Sequence, residues 1–86
     1  MTLLNGIQYT EKGGKTLDYS ALRGKIYEVF GSVKRFAEAM ELSYVTILKK
    51  LAGANFWTQG EILKASDLLG IKRKDIIKYF FTPNVE

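Results

Sequence analysis

Residues 32–53 constrain the fold of this chain more than any other stretch, because they hold two short apolar stripes at helical spacing, separated by a tight turn. Phe36, Ala37 and Met40 fall on one face of the first segment, and Leu42 closes the turn after it. Ile47 and Leu51, four residues apart in the second segment, face back toward them. A small side chain at Ala37 lets the two helices cross closely. The pattern predicts a helix-turn-helix. The remaining face of the second helix carries Ser43, Tyr44, Val45, Leu48, Lys49 and Lys50, a mix of donors, an aromatic and cations that suits a DNA major groove and its flanking phosphates. Amphipathic helix pairs of this build also occur in many all-α proteins that bind no nucleic acid, so spacing alone leaves both readings open.

The flanking segments have legible helix ends. Asp18 or Ser20 can cap a helix running to about Val29, with Leu22, Ile26, Val29 and Phe30 as its buried stripe and Gly31 as its stop. Ser32 caps the next helix. Thr58-Gln59-Gly60-Glu61 reads as a capping box opening a helix that carries Ile62, Leu63, Ser66 and Leu69 and ends at Gly70. Ile71 to Phe81 reads as one final helix, stopped by Pro83. In the loop from Gly53 to Trp57, Trp57 is expected in the core, and Phe56 can plug the core beside it. These elements make an all-α, five-helix bundle over residues 17–86.

Residues 1–16 read differently. They hold Asn5-Gly6 and Gly13-Gly14, a weak Ile7/Tyr9 alternation and no helical stripe, so a flexible tail is expected there rather than a hairpin. Lys12-Gly13-Gly14-Lys15 is also what a purine-rich ribosome-binding sequence encodes when read in frame, and Leu17 fits a TTG start codon, so the tail need not belong to the native protein.

Eighty-six residues suffice for one small module. With neither Cys nor His, disulfides, thiolate metal sites and the usual zinc fingers are excluded. No metal and no cofactor are expected. General-base and thiol chemistry would fall to carboxylates, Lys or Tyr, and none of these stands in a recognisable site motif, so an enzyme is not expected. Gly13-Gly14-Lys15-Thr16 lacks the full spacing of a phosphate-binding loop. No apolar run approaches the roughly 20 residues that span a bilayer, and a cytoplasmic protein without a membrane partner is expected. The net charge of +4 favours an anionic partner. Lys34 and Arg35, Lys49 and Lys50, and the run Lys72-Arg73-Lys74 place that charge, the last of these reading as a solvated loop before a helix.

The stretch F-A-x-x-M-x-L-S-x-x-T-I-x-x-x-L-x-G resembles the xenobiotic-response-element type of helix-turn-helix of phage repressors and Cro proteins, with Ala37, Leu42, Ser43, Ile47 and Gly53 at characteristic positions. Asp18 to Gly24, Trp57 to Leu69 and Tyr79 to Thr82 extend the similarity to short prophage regulators of Gram-positive bacteria, over about residues 17–83. The resemblance implies a lambda-repressor-like bundle and a prophage transcriptional regulator binding a double-stranded DNA operator. It implies base or phosphate contacts from Lys34, Ser43, Tyr44, Val45, Leu48, Lys49 and Lys50. The loop and following helix start imply a further phosphate contact through Asn55 and Thr58. Two positions depart from the pattern: Val33 replaces a phosphate-bonding Gln, and Glu41 replaces a turn Gly. A non-Gly residue at positive φ costs about 1 kcal/mol, which predicts a turn built slightly differently.

The competing expectation is an interaction protein. Some prophage modulators of this build act on a repressor rather than an operator. The segment Ile76-Ile77-Lys78-Tyr79-Phe80-Phe81 is apolar on more than one face, so Ile76, Tyr79, Phe80 and Phe81 are candidates for a homodimer or partner-repressor surface. The outer face of residues 43–50 discriminates: a DNA reader needs it open and cationic.

Overall fold

The computed structural model describes residues 17–83; the tail and start-codon expectations for residues 1–16 lie outside them. The described residues form five helices, α1 (Ser20–Phe30), α2 (Val33–Met40), α3 (Tyr44–Leu51), α4 (Gln59–Leu69) and α5 (Ile76–Phe80), with a single 3-10 turn, Arg73–Asp75, leading into the last. The all-α, five-helix reading holds.

Side chains set most of the helix starts. Ser32 accepts from the Arg35 amide at 3.1 Å, and Ser43 from the Thr46 amide at 3.0 Å, each satisfying a donor that the first turn leaves open. Thr58 and Glu61 form the expected reciprocal box, with the Glu61 amide donating to Thr58 Oγ1 at 3.1 Å and the Thr58 amide to Glu61 Oε1 at 3.0 Å. At α1 the cap is displaced by one residue. Asp18, ahead of the first-turn boundary at Tyr19, accepts from both the hydroxyl and the amide of Ser20, which holds its carboxyl below the usual range. Gly31 and Gly70 end α1 and α4 in the left-handed conformation, where a side chain would strain the backbone.

The turn between α2 and α3 corrects an expectation. Glu41 itself adopts φ 64°, so the turn keeps the left-handed geometry that a Gly would supply. Its closing bonds, from the Leu42 amide to the Ala37 carbonyl and from the Glu41 amide to the Glu38 carbonyl, are both 3.0 Å. Lys64 on α4 reinforces the site by donating to the Met40 carbonyl at 3.1 Å. Its ion pair with Glu41, 3.7 Å long and exposed, adds little.

Leu22, Ile26, Phe36, Ile47 and Phe80 are fully buried at the centre, with Ala37 and Met40 of α2 and Leu51 of α3 packed around them. In α1 the stripe follows the i, i+4, i+8 row through the buried Leu22 and Ile26 to the half-buried Phe30, whose ring lies 5.6 Å from that of Phe36; Val29 falls off that row and is exposed. Trp57 enters the core, its ring 5.4 Å from Phe80 and 6.4 Å from Tyr19, both edge-on. Phe56 does not enter it and stands 91% exposed.

The last segment is also shorter than its periodicity suggests. Gly70 turns the chain, Ile71 is buried, and Lys72 opens the 3-10 turn closed by the Asp75 amide on the Lys72 carbonyl at 2.8 Å. Only then does α5 begin. Leu17 and Pro83 form an isolated antiparallel bridge, and the Asp18 amide donates to the Thr82 carbonyl at 2.8 Å, tying the two ends of the described chain together.

Because Glu41 holds a conformation that costs an L-residue about 1–2 kcal/mol, Glu41→Gly is expected to raise stability by about 1 kcal/mol. Urea unfolding checks this, and a loss of stability would show that the Glu41 side chain outweighs the strain.

Candidate functional site

The nine residues expected to touch DNA divide by environment once the chain is folded. Lys34, Tyr44, Val45, Lys49 and Asn55 are exposed. Ser43 and Thr58 are engaged as helix caps, Ser43 also donating to Thr46 Oγ1 at 2.8 Å. Leu48 is half-buried against the core. Lys50 is buried, and its location is the principal correction at this face.

Helical geometry explains that burial. Lys50 follows Ile47 by three residues and precedes Leu51, so it lies on the inward side of α3. Its Nζ donates to the Phe56 carbonyl at 2.7 Å and pairs with Glu61 Oε1 at 2.9 Å, 5.9 Å from the centre of the Trp57 ring. A buried ammonium needs such partners, since leaving one unpaired costs several kcal/mol. The same contacts consume the charge. The open face of α3 is left with Lys49 as its cation, beside the exposed Tyr44 and Val45. Val33, in the place of the phosphate-bonding Gln, is buried. This face is therefore open but weakly cationic.

Glu61 is tuned by the same cluster. Burial works to raise its carboxyl, but hydrogen bonds from Lys50 and Thr58 outweigh that and hold it below the usual range.

A second surface lies between α4 and α5. Gln59, Ile62, Leu63, Ile76 and Phe81 line an open, largely apolar groove of about 270 Å³. Leu63 is 42% exposed, Phe81 47%, and Ile77, beside it on α5, 70%. The expected partner residues are redistributed accordingly. Ile76 and Tyr79 are half-buried, Phe81 is exposed, and Phe80 is buried in the core and out of reach of a partner. Ile77 takes its place on the surface. Within α5, Ile76 and Phe80 stand four apart on the inward side and Ile77 lies off it; five residues are too few for their periodicity to show this in the sequence.

The chain belongs to the family described as "Protein of unknown function (DUF739)", which matches residues 15–83. It is similar to the solution structure of the modulator of repression (MOR) of the temperate bacteriophage TP901-1 from Lactococcus lactis, with 44% identity over 86% of this chain and 100% of that one, at a TM-score of 0.71. The comparison with curated proteins gave no match. These findings overturn the Cro/repressor assignment and, with it, the expectation of a sequence-specific operator binder partnered by double-stranded DNA. The burial of Lys50, which leaves Lys49 as the cation on the open face of α3, accords with this. No described helix is long and apolar enough to cross a membrane.

The Glu61 environment sets a pH dependence. Its folded proton affinity is lower than that of the unfolded chain, so the stability it contributes is full above 4.5, the ordinary glutamate value, and is lost as the pH falls through the lower folded value. Melting temperature measured against pH is expected to fall on this acid limb, and Glu61→Gln to flatten the fall. An equally steep limb in the variant would place the acid sensitivity elsewhere.

Proposed function

We propose that this chain is a phage or prophage regulator that modulates repression by binding the repressor protein, with the α4–α5 face as its contact surface. The observation that carries this is the exposed apolar cluster of Leu63, Ile77 and Phe81 around a groove that the chain itself leaves unfilled. Water-exposed apolar side chains contribute to affinity when a partner covers them, and anchors that enter pockets dominate such interfaces. The relation to a modulator of repression supplies the class of partner. The reading has no catalytic step: the chain acts by association alone, in the cytoplasm where a repressor works.

Titration calorimetry with the repressor of the same phage tests the surface. Ile77→Asp is expected to weaken binding by about 2 kcal/mol, roughly thirty-fold in Kd, with Phe81→Ala weakening it in the same direction. Both residues are exposed, so the melting temperature should move little. Full-strength binding by both variants would remove α4–α5 as the contact.

A further inference from the structure

The turn that leads into the groove-lining Ile76 carries cations outside any ion pair. Lys72, Arg73 and Lys74 stand exposed in the turn leading into Ile76, and Lys78 is exposed on α5, 5.4 Å above the Tyr79 ring. Among the described residues the ion pairs are Lys25–Glu28, Lys50–Glu61 and Lys64–Glu41, and none involves these four. The acid within this segment is the half-buried Asp75. On α4 the groove-lining positions are the neutral Gln59, Ile62 and Leu63; Glu61 is engaged by Lys50, and the exposed Asp67 lies one turn beyond Leu63.

Resting on the protein-binding reading above, we infer that the partner surface seated here is apolar at its centre and acidic at its margin. An aliphatic or aromatic side chain enters between Ile62, Leu63, Ile76 and Phe81, while carboxylates of the partner face Lys72, Arg73 and Lys74. A nucleic acid matches the cations but not the groove, because a duplex offers phosphates where Ile77 and Phe81 present apolar surface. Exposed ion pairs contribute little to affinity singly. Their collective effect is on encounter: complementary rims raise the association rate and make it salt-dependent.

The test is surface plasmon resonance of the full chain against the repressor of the same phage, alongside Lys72→Glu/Arg73→Glu/Lys74→Glu and the neutral triple Gln variant. Circular dichroism checks that both variants keep the helical fold. The wild-type association rate is expected to fall between about 50 and 300 mM NaCl, as screening shortens the reach of the rim. The charge-reversed variant should associate about tenfold more slowly with little change in dissociation, and the Gln variant should lie between. Binding whose association rate ignores both salt and charge reversal overturns the acidic-margin inference while leaving repressor binding intact. No binding by the wild type overturns the protein-binding reading and this inference with it. Tight wild-type binding to random duplex DNA, lost on charge reversal, assigns the cations to nucleic acid and overturns the inference as well.

Discussion

The interaction on which the rest of the structure depends is the burial of the Lys50 ammonium among the Phe56 carbonyl, Glu61 and the Trp57 ring. Three separate pieces of chain meet there: the last turn of α3, the loop after it, and the first turn of α4. A neutral residue at position 50 would leave the Phe56 carbonyl without this donor and Glu61 without its counter-charge. With Lys50 present, Glu61 serves both the ion pair and the Thr58 capping box, so the start of α4 is fixed in relation to the end of α3.

That junction reaches the α4–α5 face through Trp57. Held beside Lys50, the indole presents its faces and edges to Tyr19 and Phe80, and Phe80 anchors α5 against the core. With Phe80 turned inward, Ile77 and Phe81 are left outside, and with α4 in place Ile62 and Leu63 form the opposite wall of the groove. The same interaction that removes a cation from α3 thus helps to build the apolar surface on the other side. The α3 face loses one of its two cations, and the α4–α5 face gains an open apolar groove.

Much of this was legible in the sequence because it is local. Ser32, Thr58 with Glu61, Gly31 and Gly70 each set a helix end by chemistry within three or four residues, and the five-helix outline follows from them; Ser43, read as a DNA contact, proves to cap α3 in the same way. What was not legible depends on contacts distant in the chain. Glu41 keeps a glycine-like turn, with Lys64 of α4 binding the adjacent carbonyl. Phe56 and Trp57 are neighbours of similar hydrophobicity, and only the fold turns one outward and the other inward. Lys50 is an intermediate case. Its spacing from Ile47 already placed it on the buried side of α3, but its charge and its neighbour Lys49 suggested an outer face. The resemblance to DNA-reading regulators followed the α2–α3 packing positions, which report how two helices cross and not what their outer surfaces bind.

The central claim is that this fold regulates through the α4–α5 face by touching protein. Nuclear magnetic resonance of the labelled chain, titrated with the unlabelled repressor of the same phage, tests it most directly. The account predicts that the largest amide shifts and the slowed exchange cluster at Leu63, Ile77 and Phe81 and along residues 72–78. Shifts confined to Lys34, Tyr44, Val45 and Lys49, with α4 and α5 undisturbed, would contradict it.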